Sequence, residues 1–153
     1  MNLINYDPVR LVLVVVVTAQ PKTDADNEAL LAALDKIDRE GASQRKPIAV
    51  AICVDIAAPA PSAPWRKRFA EHRKAMKSPR VFFSIVAPTA VSRGALTAIN
   101  WISPPPDHVR VVCHATVTEA ANWIELTHGT PAGALQRMHD EAIARAPKAA
   151  RAG

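Results

Sequence analysis

Leu11-Val12-Leu13-Val14-Val15-Val16-Val17 is apolar at every position and mostly β-branched. A strand with one wet face alternates apolar and polar residues. An unbroken apolar run needs cover on both faces, which places this one in the middle of a sheet flanked by helices. The run is also far shorter than the ~20 residues needed to span a bilayer.

Reading outward from that strand, Ile48 to Ile56 reads as another buried strand, and Val81 to Val86 and Val109 to His114 read as the next and last strands. Helical patterns separate these runs. Thr23 predicts an N-cap, with Asp24 and Asp26 in a first turn favoured by the helix dipole. Leu30, Leu31, Leu34 and Ile37 fall on one stripe, and Gly41 is expected to end that helix. A second helix is expected from Ala63 to Lys77, capped by Ser62, with Trp65, Phe69, His72 and Met76 on one face. Thr89 predicts a third, through Val91, Ala95, Ile99 and Ile102, which Pro104-Pro105-Pro106 ends. Thr118 predicts the cap of a fourth, carrying Ala120, Trp123 and Ile124 and ended by Gly129. Thr130-Pro131 opens a last helix to about Ala146. Ahead of the apolar run, Leu3 to Tyr6 reads as a short strand and Asp7-Pro8 as a turn. The order predicts an α/β domain over residues 1–146. Its four- to five-stranded, mainly parallel mixed sheet has an antiparallel N-terminal strand near one edge. Residues 147–153 are expected to be a flexible basic tail.

The chain has 153 residues, enough for one domain with a core of its own. The net charge of +5 suits an acidic partner without requiring one. Cys53 and Cys113 lie inside apolar runs, where a free cysteine packs as a small hydrophobe. The N-terminal residues lack the basic and apolar regions of a signal peptide, so a cytoplasmic chain is expected.

Catalytic and cofactor signatures are missing from the sequence. No glycine-rich phosphate loop occurs. The five histidines are scattered, so no metal is expected, nor any other cofactor. No serine sits in a nucleophile-elbow sequence. Asp55, at the end of a strand, and Cys113 are the residues an enzyme would use. Their ordinary roles are loop stabiliser and core residue. No helix-turn-helix or base-stacking signature points to nucleic acid.

The strongest charge bias lies on the helix carrying Arg66, Lys67, Arg68, Arg73, Lys74 and Lys77. It follows Ala57-Ala58-Pro59-Ala60-Pro61-Ser62-Ala63-Pro64, a loop stiffened by proline. Such a face is either plainly solvated or docks an acidic protein or anionic lipid.

The order of elements resembles the STAS superfamily, and more closely its stand-alone SpoIIAA-like branch of anti-sigma-factor-antagonist domains. Three stretches carry the likeness. One is the valine-rich strand followed by Thr23-Asp24-Ala25-Asp26. The second is Ile52-Cys53-Val54-Asp55-Ile56 followed by a basic helix. The third is Thr118-Glu119-Ala120-Ala121-Asn122-Trp123-Ile124. Together they span roughly residues 2–126. The resemblance implies a non-enzymatic regulatory domain that binds another protein. It also implies a phosphorylatable hydroxyl just after the strand ending in aspartate. Here Ile56, Ala57 and Ala58 follow Asp55, so Ser62 is the nearest candidate phosphosite. The expected partner surface is Asp55, Ser62, Arg66, Lys67, Arg68, Arg73 and Lys74. The alternative is a carrier of a lipid or apolar small molecule, its pocket lined by Trp65, Phe69 and Met76. A homodimer through an edge strand stands as a further expectation.

Overall fold

The computed structural model describes residues 1–90, 93–94 and 103–146. The apolar run forms β2 (Val12–Val17), and all six of its residues are buried. Leu11 stays outside the strand because the chain turns there, with φ at 56°. β2 lies between β1 (Asn2–Asp7), antiparallel to it, and β3 (Ile48–Val54), parallel to it. β4 (Val81–Val86) and β5 (Val109–His114) continue the sheet in parallel. The spatial order is β1-β2-β3-β4-β5, so every strand pairs with its neighbours in sequence. The chain is an α/β fold with a mixed, mainly parallel five-stranded sheet.

Alternation along β2 divides its valines between two layers. Leu13, Val15 and Val17 pack on Leu30, Leu34 and Ile37 of α1 (Asp24–Gln44), with Met76 in the same cluster. Val12 and Val14 face the other way. They meet Ile124 of α3 (Val117–His128) and Leu135 and Met138 of α4 (Ala132–Ala144). α2 (Ala63–Ala75) lies on the α1 side, where Phe69 packs against the cluster. Both described crossovers, β2-α1-β3 and β3-α2-β4, therefore cover one face. Two helices that follow the sheet in sequence cover the other.

Several boundaries differ from the sequence reading. Thr23 makes a full capping box: its Oγ1 accepts from the Asp26 amide at 3.2 Å, and Asp26 Oδ2 accepts from the Thr23 amide at 2.8 Å. Gly41, however, lies inside α1, which ends at Arg45 in the left-handed region with φ at 55°. The glycine is there because α1 runs against β3: a methyl group at 41 would overlap Ile48 Cγ2 and Ser78 Oγ. The cap of α3 is Thr116 rather than Thr118. Thr116 Oγ1 accepts from the Glu119 amide at 3.1 Å, and Glu119 Oε2 accepts from the Ala115 amide at 2.9 Å. This is the reciprocal pairing that Thr-x-x-Glu spacing favours. β3 stops at Val54, leaving Asp55 and Ile56 in a turn. The expected helix through Val91, Ala95, Ile99 and Ile102 lies outside the described residues, as does the tail 147–153.

Candidate functional site

Sequential strand order has a direct bearing on where a ligand can sit. Open α/β sheets bind ligands at the strand ends where successive crossovers diverge to opposite faces. Here the described crossovers stay on one face, so β2, β3 and β4 provide no such crevice. Asp55 sits at that end of the sheet, is exposed, and turns back on its own loop. Its Oδ1 accepts from the Ala57 amide at 2.8 Å. That is the loop-stabilising role.

Chemistry at the cysteines is muted. Cys53 points toward the α3–α4 side of the sheet and Cys113, by alternation with Val109 and Val111, toward the α1 side. Both are free thiols. Burial pushes the Cys53 thiol up to about 12, and burial also raises Cys113, against a weaker opposing effect of Arg93. Neither gains thiolate character, which nucleophilic attack requires. His114 leans on Trp123 at 5.6 Å between ring centres. Among the described residues, no group of three His, Cys, Asp or Glu side chains could hold a metal.

The face built by the expected site residues is α2 and the loop before it. Ser62 begins α2, is exposed, and makes no side-chain capping bond. Pro64 follows in the first turn, which holds no acidic residue. Arg66 folds back to give Nη1–H to Pro61 O at 2.7 Å. Lys67 lies 3.9 Å from Glu71, and both are well exposed. Lys74 is exposed. Arg73 turns inward, half-buried, and donates from Nη2 to Ser103 O at 2.9 Å. It is therefore a tether rather than part of the solvated face. Ile56, at the start of the loop, is 73% exposed.

The remaining cation of that set, Arg68, is engaged with α1. It grips Glu28 with two bonds, 2.6 and 3.0 Å, and its guanidinium carbon lies 4.2 Å from the Trp65 ring centre. The bond to Arg68 holds the Glu28 carboxyl below its usual range, and the same bond raises the guanidinium. On either side, Trp65 Nε1–H donates to Asp24 at 2.7 Å and His72 Nε2 lies 2.7 Å from Asp35. Trp65, Arg68 and His72 of α2 thus meet Asp24, Glu28 and Asp35 of α1 in a polar seam. The sequence reading missed these partners. The signal was present in the spacing, since Asp24, Glu28 and Asp35 recur four and seven residues apart on one side of α1.

Trp65, Phe69 and Met76, the expected lining of an apolar pocket, face inward. Trp65 and Met76 are buried, and Met76 belongs to the main core cluster. A cleft of about 270 Å³ does open between α1 and α2, lined by Glu28, Leu31, Asp35, Arg68, Glu71 and His72 among others. A second, about 300 Å³, lies between the β1–β2 turn and α4, with Asn5, Asp7, Arg10, Arg137 and Glu141 on its walls. Both are polar surface clefts, unlike the apolar enclosure a lipid needs. No helix among the described residues is long and apolar enough to cross a membrane. No family model, curated protein or solved structure matches this chain.

Proposed function

We propose that the chain is a non-enzymatic regulatory or adaptor domain of the STAS-like kind that binds an acidic protein segment along the loop from Asp55 to Ser62 and the outer side of α2. One observation carries this reading. From Ile56 to Ala70 the chain holds three cations and no carboxylate. That stretch is also a proline-stiffened loop running into a helix N-terminus whose capping residue makes no side-chain bond. Cationic side chains and the positive end of a helix dipole then act in the same direction. A loop already stiffened by proline loses little entropy when a partner orders it. Exposed Ile56 adds an apolar contact beside the charge. The inward packing of Trp65, Phe69 and Met76 favours this reading over the carrier.

The test is fluorescence anisotropy with a labelled glutamate-rich peptide containing interspersed leucines. The wild-type chain should bind it at low ionic strength and release it as salt rises. The Arg66→Glu/Lys67→Glu/Lys74→Glu variant should lose binding while keeping its unfolding midpoint. The reading fails if the wild type ignores the peptide at low salt, or if the reversed variant binds it equally well.

A further inference from the structure

We infer that α2 is a releasable helix, latched onto α1 by its own acidic residues and opened when an acidic partner takes their place. This rests on the binding surface proposed above and adds how that surface is controlled.

The two ends of α2 are held differently. At the C-terminal end, Asp38 of α1 is buried and accepts from the amides of Lys77 and Ser78, the shortest bond being 2.8 Å. Ser78 Oγ–H donates to Asp38 O at 3.1 Å, and His108 Nε2 bonds Met76 O at 3.0 Å. Met76 itself is in the core. This end is a fixed pivot.

Toward the N-terminal end, Trp65 is the only buried residue of α2. Partly buried Phe69 rests on the main core cluster, and the remaining ties of this part run to α1 through the polar seam: Trp65 to Asp24, Arg68 to Glu28 and His72 to Asp35. The Arg68 and Glu28 side chains are roughly half exposed, at 45% and 55%, so water and salt reach the pair. The chain entering α2 is the proline loop, which has no β-ladder to hold it. A partner carboxylate presented along α2 offers Arg68 and His72 the same chemistry as Glu28 and Asp35. Exchange of one carboxylate for another frees the N-terminal part of α2 to swing on its pivot. Trp65 and Phe69 then become available to apolar residues of the partner.

Two readouts test the latch. In the Glu28→Gln/Asp35→Asn variant, the labelled peptide should bind about threefold to tenfold tighter than to the wild type. Backbone amides of residues 63–72 should exchange with deuterium faster in that variant without any peptide. Glu125→Gln/Asp140→Asn, at exposed carboxylates on α3 and α4, matches the change in overall charge and should move neither readout. If Glu28→Gln/Asp35→Asn binds no tighter than Glu125→Gln/Asp140→Asn, or exchanges no faster than wild type, the latch is wrong. The binding surface still stands in that case, provided Arg66→Glu/Lys67→Glu/Lys74→Glu abolishes binding. Indifference of the peptide to every one of these changes removes both.

Discussion

α1 and α2 cover the same face of the same sheet, yet they are attached by different physics. α1 buries seven residues, with Leu30, Leu34 and Ile37 set into β2 and its neighbours. α2 buries one residue within its span, rests partly buried Phe69 on the same core, and otherwise relies on a seam of partly exposed polar contacts. Apolar burial is insensitive to salt and hard to undo piecemeal, whereas exposed ion pairs are individually weak and exchangeable. One helix belongs to the scaffold, and the other is a part the scaffold can present.

The largest test of that contrast is a pair of truncations. Ile37→Ala should lower the unfolding free energy by about 2–5 kcal/mol, as for a fully buried aliphatic side chain. Trp65→Ala removes a bigger side chain but should lower it by only about 1–2 kcal/mol, because α2 can open locally without unfolding the sheet. Urea denaturation of both variants measures the difference, and an equal or larger loss at Trp65 would break the contrast. Gly41→Ala sharpens it from the other side. The added methyl meets Ile48 and Ser78, where α1 runs closest to the sheet, and should destabilise by about 1–3 kcal/mol. A neutral result in thermal melts would mean that α1 sits more loosely than its burial implies.

The opposite layer responds to acid, with the smallest effect. His128 Nε2–H donates to Pro47 O at 3.1 Å, which leaves Nδ1 to accept from Thr130 Oγ1 at 2.9 Å. Burial lowers its pKa below the ordinary 6.5, opposed by the bond to Pro47. Burial lowers His114 likewise, opposed by Glu119. Below 6.5 the unfolded chain therefore takes up protons that the folded chain refuses. The stability these rings contribute is complete above that pH and declines as pH falls toward their lowered values. His128→Gln should flatten part of the decline in melts between pH 7 and 5, as estimated from the ordinary histidine range, and should leave α2 amide exchange unchanged. A slope that is unaltered in the variant would remove His128 from the account.

The middle of the sheet was legible because the run at β2 is short, unbroken and mostly β-branched, which favours a strand buried on both faces over a buried helix segment. Thr23 was legible because a capping box is a local, four-residue device. Gly41 was misread because a helix-ending glycine and a close-packing glycine look the same until the facing residues, Ile48 and Ser78, are known. Thr116 caps α3 in place of the expected Thr118 because Glu119 lies at capping-box spacing from Thr116 alone. The partners of Arg68 and His72 lie 40 and 37 residues away in sequence. The spacing of Asp24, Glu28 and Asp35 marks an acidic side of α1, but that α2 lies against this side depends on how the two helices come to rest on the sheet. The basic residues were therefore visible, while their engagement with α1 was not.

The sequential strand order also sets a timetable for synthesis. As the chain leaves the ribosome, each new strand finds its pairing edge already made, and α1 and α2 are already available for one side. Among the described residues, the helices that shelter the side bearing Val12, Val14, Ala49, Ala51 and Phe82 come later, from Val117 onward. Until those last segments emerge, the nascent domain is a half-clad sheet with a greasy back, and its exposure to chaperones or to other nascent chains is concentrated in that interval.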